Sequence, residues 1–275
     1  CDHSHCSGCE SNPKQNPQDA AIADFLQHVK HKIVVMSGKG GVGKSTVSVD
    51  LALLLSERGY QVGLMDVDLH GPSVAGMLGY MDKHVQVEGE KLVPFRYSDH
   101  LEFLSAQGFL AQHDALIWRG PLKVGAIRQF MSDTKWDPLD YLIIDCPPGT
   151  GDEPLTVVQT IKDAEAIIVT TPQKVALADV RKSLSFCQLG HIPVRGIIEN
   201  MSGFVCPHCG QEVDIFKAGG GKALAEEKGL PFLGRIPIDP QVVAAEDAGN
   251  PLENISEASR KALNSIVDKV VEQDQ

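Results

Sequence analysis

The feature that most restricts the fold of this chain is a glycine-rich segment, GKGGVGKST, at positions 38–46. It follows an apolar run at 32–37 that is typical of a buried strand, and it precedes a segment from Lys44 to Arg58 with apolar residues at helical spacing. A strand, a glycine loop and a helix in this order indicate a phosphate-binding loop, because glycine lets backbone N–H groups curl around phosphate oxygens. The positive end of the helix dipole points at the same place. We therefore predict that the loop binds Mg·ATP.

Each residue type in the loop has an expected role. Lys44 is expected to reach the β- and γ-phosphates, and Ser45 is expected to ligate Mg²⁺. The other predicted nucleotide-binding positions of the loop are Gly38, Lys39, Gly40, Gly41, Val42, Gly43 and Thr46. The alternative is a glycine-rich turn without a ligand, and the flanking strand and helix make it the weaker interpretation.

Strand and helix patterns alternate along the rest of the chain. Further buried strands are predicted at 61–66, 101–105, 141–145, 166–170, 194–199 and 232–236, a surface hairpin at 85–93, and helices at 176–189, 221–228 and 256–271. This alternation predicts an α/β fold, with a doubly wound, mostly parallel sheet flanked by helices. We expect residues 1–25 to form a flexible, cysteine-bearing arm and residues 26–275 to form a single P-loop ATPase domain.

Two carboxylates and one amide are predicted to complete the nucleotide site. Asp68 follows the second strand and Asp145 ends the strand at 141–145, so both lie at strand ends where they can hold the water shell of Mg²⁺. Residues 147–152 would then form a switch segment that senses the γ-phosphate. Asn200 follows another strand, where its amide can pair with the edge of adenine. Each carboxylate could instead cap a helix, and Asn200 could be a turn residue.

The seven cysteines are unevenly distributed. Cys206 and Cys209 stand in a CxxC motif within a predicted metal-binding loop at about 203–212. Thiolates select zinc or iron–sulfur clusters, which usually take four ligands, whereas this motif supplies two. A symmetric dimer would supply two plus two on its twofold axis. Cys146 and Cys187 are single residues in apolar surroundings and are predicted to be buried core residues.

The N-terminal arm carries a second group of cysteines. Cys1, Cys6 and Cys9, with His3 or His5 as a fourth ligand, could bind a second iron–sulfur cluster or zinc. The alternative is a disordered arm with free thiols.

Charge and hydropathy exclude several classes of partner. The net charge of −11 disfavours a nucleic-acid partner. The chain has no apolar run long enough to span a membrane, and its first thirty residues lack the apolar core of an export signal. We therefore expect a cytoplasmic protein without a membrane or nucleic-acid partner, in which reduced cysteines are available to a metal.

The second lysine of the loop makes the motif more specific. GKGGVGKST resembles the deviant Walker A motif of the group that contains MinD, ParA and the nitrogenase iron protein. The resemblance implies that Lys39 crosses a dimer interface to the partner's nucleotide, so that Lys39, Lys44 and Asp68 are the catalytic residues. It implies that Asp68 orients the attacking water and that Asp145 supports Mg²⁺. It also implies that Pro237, in the sequence PID, lies on the adenine side of the site.

Further motifs extend the resemblance over residues 32 to about 239. These are DVDLHGPS at 66–73, WRGP at 118–121, DCPPGTGD at 145–152, TPQ at 171–173, ENMS at 199–202, CPHC at 206–209 and GGGK at 219–222. With them the chain is similar to the Mrp/ApbC family of iron–sulfur cluster carriers. Some relatives of that family carry an N-terminal cluster on four cysteines, whereas this arm shows three at a different spacing.

The resemblance implies a specific function. It implies a homodimeric ATPase that hydrolyses ATP slowly and holds a [4Fe–4S] cluster between the Cys206 and Cys209 pairs of its two subunits. The cluster is passed to apo iron–sulfur proteins, and cluster-assembly proteins are the other expected partners. Closure of the dimer by ATP is expected to reach the CxxC loop through residues 147–152.

Two alternative functions belong to the same group. The first is a spatial-partitioning ATPase like MinD or ParA, but the mixed to acidic C-terminal end at 268–275 and the net charge of −11 disfavour binding to lipid or DNA. The second is an electron-transfer ATPase like the nitrogenase iron protein, whose cluster cysteines are single residues on separate loops rather than one CxxC motif.

Overall fold

The computed structural model describes residues 16–109, 120–206 and 208–274. Three groups of sequence features lie outside these ranges, namely Cys1, Cys6 and Cys9 of the N-terminal arm, Trp118 and Arg119 of the WRGP motif, and Pro207 of the CPHC motif. No helix in the described ranges has the length and apolar character needed to cross a membrane.

The chain forms a three-layer α/β structure. The strands are β1 Val29–Ser37, β2 Val62–Asp66, β3 Gln86–Glu88, β4 Lys91–Val93, β5 Phe95–Ser98, β6 Leu101–Ser105, β7 Leu139–Asp145, β8 Glu165–Thr170, β9 Val194–Glu199, β10 Phe204–Val205, β11 Glu212–Val213 and β12 Phe232–Arg235. The helices are α1 Pro17–Gln27, α2 Lys44–Glu57, α3 Val74–Met77, α4 Gly120–Ser132, α5 Asp152–Thr160, α6 Lys174–Leu189, α7 Gly220–Lys228, α8 Pro240–Asp247 and α9 Glu257–Glu272, with a 3₁₀ turn at Ala106–Phe109.

Eight strands form the central sheet in the order β12-β9-β8-β1-β7-β2-β6-β5. All neighbours are parallel except β5, which runs antiparallel to β6 at one edge. Helices cover both faces, so the inner strands are buried on both sides, which explains their runs of Val, Ile and Leu. The predicted doubly wound, mostly parallel sheet is therefore confirmed, and the predicted hairpin is the pair β3–β4.

The two faces carry separate apolar layers. One layer packs the sheet against α2 and α9, with Leu51, Leu55 and Ile266 fully or almost fully buried. The other packs it against the helices on the opposite face, through Phe130, Val157 and other side chains. The helices on the two faces thus bury both apolar sides of the sheet.

The N-terminal boundary differs from the prediction of a flexible arm through residue 25. Helix α1 occupies Pro17–Gln27, where Asn16 caps the helix by accepting a hydrogen bond from the N–H of Gln18 at 3.1 Å. Ile22 is buried, and the ring of Phe25 stacks on Trp136. The polar composition hid an amphipathic helix whose apolar side chains are buried against the core.

The carboxyl ends of three adjacent strands bring the predicted phosphate site together. Strand β7 lies between β1 and β2, and Asp66 is paired in register with Asp145. The loop after β1, the segment after β2 and the segment after β7 therefore leave the sheet at the same edge. This is the edge at which open α/β sheets bind ligands.

Candidate functional site

Two glycines of the phosphate loop are required by its packing. A Cβ atom on Gly38 would lie 2.4 Å from the backbone carbonyl carbon of Asp179 in α6. Gly43 has a φ of 75° and forms the left-handed cap of α2, and a Cβ there would lie 2.2 Å from Asn200 Nδ2. Only glycine allows both the left-handed backbone and the close approach of Asn200.

Most of the predicted phosphate-site residues line one cavity of about 260 Å³. They are Lys39, Gly40, Gly41, Val42, Gly43, Lys44, Ser45, Thr46 and Asp68, joined by Ser37, Ser73, Met77 and Pro148. Gly38 and Asp145 do not line it, because Gly38 packs against α6 and Asp145 is fully buried. Pro148 places the predicted switch segment at the rim of this cavity.

Asp145 organises the floor of the site. Lys44 Nζ donates a hydrogen bond to Asp145 Oδ1 at 2.6 Å, and Ser45 Oγ donates to Oδ2 at 2.6 Å. Ser48 Oγ also donates to Oδ1, at 2.7 Å. Ser48 is not among the predicted site residues, although its position one helical turn after Lys44 places the two on the same face of α2. A buried carboxylate thus holds both the lysine and the serine that were predicted to bind phosphate and Mg²⁺.

A second buried carboxylate, Asp66, shapes the segment that carries Asp68. It accepts hydrogen bonds from Ser105 Oγ at 2.9 Å and from the N–H groups of Asp68 at 3.1 Å and Ser73 at 3.2 Å. Burial, followed by the charge of Asp145, raises the pKa of Asp66 to about 7. Asp68 Oδ1 in turn accepts from the N–H of Gly71 at 3.0 Å. These bonds hold Asp68 at the wall of the cavity.

Lys39 is a half-buried cation on the same cavity wall. It forms no ion pair with any residue in the described ranges, whereas Lys44 is paired with Asp145. The cavity therefore contains two lysines in different electrostatic situations, of which Lys39 has the uncompensated charge.

The residues predicted to contact the base meet in a second pocket beside the phosphate loop. Asn200 and Pro237 line this pocket together with Gly43 and Thr46. The amide of Asn200 is used within the protein, because Nδ2 donates to the carbonyl oxygen of Val42 at 2.9 Å and Oδ1 accepts from the N–H of Met201 at 2.8 Å. In this structure Asn200 thus holds the phosphate loop instead of presenting its amide to a base.

The CxxC motif lies in the turn of the hairpin β10–β11. The N–H of Cys206 donates to the carbonyl of Gln211 at 3.0 Å, and the N–H of Gly210 donates to the carbonyl of Cys206 at 2.8 Å. Hydrogen bonds from the backbone N–H groups of His208 and Cys209 lower the pKa of the Cys206 thiol. Since they stabilise the thiolate, which is the form that binds metals, the turn is suited to a thiophilic metal.

The other described cysteines have the opposite character. Cys146 and Cys187 are fully buried, as predicted, and burial raises the pKa of both thiols, to about 11 for Cys187. Within the described ranges, no group of three or more His, Cys, Asp and Glu side chains is placed to hold a metal ion. In that part of the chain, Cys206 and Cys209 are thus the thiols available to a metal, and they supply two ligands.

One carboxylate anchors the loop that contains the CxxC motif. Glu199, at the end of β9, is fully buried and accepts hydrogen bonds from Ser202 Oγ, from the N–H of Gly219 at 2.8 Å and from the N–H of Gly221. Ser202 and Gly219 stand just before and just after residues 203–218. Both ends of this excursion, which we name the CxxC loop, are therefore fixed to the sheet beside Asn200.

Comparison with known proteins gives matches along almost the whole described chain. The model of the ParA family, described as NUBPL iron-transfer P-loop NTPase, matches residues 28–271. An iron-sulfur cluster carrier protein of Methanocaldococcus jannaschii is 47% identical over 283 residues, which cover 96% of this chain and 97% of the relative. A cytosolic Fe-S cluster assembly factor, the Nubp2 homolog of Anopheles gambiae, is 54% identical over 224 residues, which cover 79% of this chain and 86% of the relative.

Solved structures of nucleotide-binding proteins have the same fold as this chain. A nucleotide-binding protein of Archaeoglobus fulgidus, in complex with ADP, superimposes with a TM-score of 0.75 at 39% identity, covering 84% of this chain and 91% of that one. The cell division ATPase MinD of Pyrococcus furiosus has a TM-score of 0.66 at 24% identity, covering 88% of this chain and 99% of that one. The second likeness concerns the fold alone.

Proposed function

Because this chain belongs to the ParA family of NUBPL-type iron-transfer P-loop NTPases, we propose that it is an ATP-hydrolysing homodimer that carries a [4Fe–4S] cluster and transfers it to apo iron–sulfur proteins. The family match confirms the resemblance to iron–sulfur cluster carriers of the MinD and ParA group. The observation that carries the proposal is the CxxC turn, which offers two thiols, one with a lowered pKa, on the same chain as a phosphate loop.

The phosphate loop supplies the ATP chemistry. Bound Mg²⁺ would neutralise charge that develops on the phosphate oxygens. Lys44, which donates to Asp145 here, would hold the β- and γ-phosphates, and Ser45, which Asp145 also positions, would ligate the metal. Asp68, held by its own turn, orients the attacking water. Hydrolysis is expected to be slow until the dimer closes.

Lys39 supplies the link between nucleotide and dimer. Its uncompensated charge lies on the cavity wall, where it can reach a phosphate of the facing subunit. A dimer closed in this way would leave each subunit's triphosphate between two lysines, and ATP would be favoured over ADP because it has one more phosphate to hold them.

The two thiols explain why the cargo requires a dimer. A [4Fe–4S] cluster takes four thiolates, and Cys206 and Cys209 of one chain supply two. Two chains related by a twofold axis complete the set. The hairpin turn leaves Cys209 exposed, so that the cluster would remain accessible to an acceptor.

The proposal also covers the partners, the location and the N-terminal cysteines of the chain. The partners are apo iron–sulfur proteins and cluster-assembly proteins, without nucleic acid or membrane. The Anopheles relative is a cytosolic assembly factor, which supports a cytosolic location for this chain. Cys1, Cys6 and Cys9 remain candidates for a second cluster or zinc.

Anaerobic reconstitution with iron and sulfide tests the proposal. The chain should form a brown dimer that absorbs broadly near about 400 nm and holds about four iron atoms for every two chains at this site. Cys206→Ser should lose this iron, whereas His208→Ala, which keeps both thiols and the backbone N–H of the turn, should retain it.

Transfer is measured with an acceptor apoprotein that needs a [4Fe–4S] cluster for activity. The loaded chain should activate it, and the reconstituted Cys206→Ser variant should not. Full iron retention in Cys206→Ser would reject the shared site, and an elemental analysis for zinc and iron would show what the N-terminal cysteines bind.

A further inference from the structure

The pocket beside the phosphate loop has a wall that comes from the CxxC loop. Its lining includes four residues that the sequence predicts to bind nucleotide, namely Gly43, Thr46, Asn200 and Pro237. Phe216, which was not predicted, also lines the pocket. Phe216 lies in the CxxC loop, between β11 and α7. The aromatic ring therefore faces the place where a base would extend from the phosphate loop, although it belongs to the element that carries Cys206 and Cys209.

Two features hold Phe216 in this position. A tight turn presents it, in which the N–H of Ile215 donates to the carbonyl of Val213 at 3.2 Å and Lys217 has a left-handed φ of 70°. The hydrogen bonds to Glu199 fix both ends of the CxxC loop. Phe216 is 41% exposed as a residue, so a ligand in the pocket can still cover part of it.

The pocket has the chemistry of a site for a flat, amine-bearing ring. Apolar side chains of Met201, Phe216 and Val242 form much of its wall. Two buried carboxyl oxygens, Asp50 Oδ1 and Glu246 Oε1, lack a hydrogen-bond partner among the described residues. An unpartnered buried acceptor is costly, so an N–H donor of a purine base that reached either oxygen would relieve that cost.

The same wall continues to the cysteines. Pro237, Ile238 and Asp239 line both this pocket and a neighbouring cavity of about 600 Å³ whose lining includes Cys206. The N–H of Ile238 donates to the carbonyl of Gly203 at 2.8 Å, so the segment is hydrogen-bonded to the start of the CxxC loop. By contrast, Pro148 of the predicted switch segment lines the phosphate cavity and is absent from the lining of the base pocket.

We propose that Phe216 packs against the base of the bound nucleotide, so that nucleotide occupancy orders the loop that carries Cys206 and Cys209. The coupling then depends on the base and passes through Asn200, Phe216 and the 236–239 segment. It adds a direct contact to the route through the switch segment that the sequence predicts. This inference rests on the proposed nucleotide site but not on the identity of the cargo.

Calorimetric titration of the metal-free chain with ADP and with inorganic tripolyphosphate tests the contact. Phe216→Ala should raise the Kd for ADP by about tenfold, because an aromatic contact to the base is lost. The Kd for tripolyphosphate should stay unchanged, since that probe has no base. Phe216→Tyr should restore ADP binding. The matched control is Ile215→Ala, the neighbouring exposed side chain, which does not line the pocket and should bind both probes normally.

Thiol labelling tests the coupling in the unsubstituted chain. ADP should slow the reaction of a maleimide with Cys206 and Cys209 at least threefold, as measured by mass spectrometry of the peptide, and tripolyphosphate should not. In Phe216→Ala, ADP at a saturating concentration should give no such protection.

Several results would overturn the inference. One is wild-type affinity for ADP in Phe216→Ala, and another is a parallel loss of ADP and tripolyphosphate binding, which would mean that the loop supports the whole site. Equal labelling with and without ADP would remove the coupling. If the unsubstituted chain bound neither probe, the nucleotide site itself, and with it the proposed function, would be rejected instead.

Discussion

Asp145 shows at the residue scale how one buried charge prepares a binding site. It has no exposed surface, and Lys44, Ser45 and Ser48 all donate hydrogen bonds to it from the first turns of α2. A buried carboxylate of this kind is stable only when its oxygens are fully hydrogen-bonded. Removal of one donor should therefore disturb both the stability of the chain and the metal side of the site.

Ser48→Ala tests the part of this cluster that the sequence missed. The variant should lose about 1–2 kcal/mol of unfolding free energy and need about three to tenfold more Mg²⁺ for half-maximal ATPase activity, because Asp145 orients Ser45 less well. Urea unfolding and magnesium titrations measure these effects. Ser56→Ala is the control on the same helix, since its hydroxyl bonds only to the carbonyl of Leu53. Equal magnesium requirements in the two variants would contradict the prediction.

Glu102 gives a pH-dependent prediction away from the nucleotide site. Burial raises its pKa from 4.5 to about 7, although its Oε1 accepts a hydrogen bond from the N–H of Asp137 at 2.8 Å. Between these two values the folded chain binds more protons than the unfolded chain, so this residue lowers stability progressively as pH rises through the window. Above about pH 7 the full penalty for burying the charge remains.

Glu102→Gln should remove this penalty while keeping an acceptor for Asp137. The stability of the variant relative to the unsubstituted chain should be about 3 kcal/mol greater at pH 8 than at pH 4.5. Urea titrations at the two pH values measure it, with the exposed substitution Glu90→Gln as the control. A difference that does not change with pH would show that Glu102 titrates normally.

At the scale of the element, the CxxC loop is a long segment with little regular structure of its own. The hairpin β10–β11 has only two residues in each strand, so its own ladder gives little rigidity. Glu199 anchors the loop instead, because its carboxylate accepts hydrogen bonds from residues at both ends of the loop. The geometry of the two thiols therefore depends on a side chain that contacts neither of them.

Glu199→Gln should leave the sheet folded but loosen the loop. The amide cannot accept from all three donors, so we expect a loss of about 2–3 kcal/mol and at least tenfold faster hydrogen exchange in residues 203–218. Reconstituted iron should fall although both cysteines remain. Glu212→Gln, on the same loop with its partner Arg235 at the surface, serves as the control. Unchanged exchange in the loop would contradict this anchoring role.

At the scale of the whole molecule, charge opposes the proposed assembly. Each chain has a net charge of −11, so long-range repulsion would act between the two copies of the proposed dimer. In the proposed dimer, Lys39 would be the cation that offsets this repulsion at the nucleotide. ATP should therefore convert monomer to dimer. Salt should have two opposite effects on this dimer, because it screens the general repulsion between the chains and also weakens the local contact between Lys39 and phosphate.

Lys39→Ala tests this assembly. The variant should bind ADP within about threefold of the normal affinity and stay monomeric in Mg·ATP, because the contact across the interface contributes little to binding within one chain. Light scattering after size exclusion measures the mass. Lys222→Ala, which changes an exposed lysine away from the phosphate cavity, is the control and should dimerise. A nucleotide-dependent dimer of Lys39→Ala would assign the interface to other groups.

The sequence by itself determined the features that depend on neighbouring residues. The phosphate loop, the CxxC turn and most strands were predicted close to their observed bounds, because glycine content, ligand spacing and apolar runs act over a few positions. The capped helix α1 was missed since its polar surface masks the few side chains that it buries. The doubly wound fold could be predicted from the sequence because the alternation of strands and helices restricts the possible topologies.

Only the tertiary structure decided which distant groups share a site. Asn200 reaches the carbonyl of Val42 across 158 positions because β1, β8 and β9 are adjacent in the sheet. Ser48 meets Asp145, and Phe216 meets the pocket beside Gly43, for the same kind of reason. Such contacts have no period and no motif, since they arise from strand order and from helices packed on it. Local sequence therefore specifies the phosphate loop and the thiols, whereas the contacts between these two regions depend on the folded sheet.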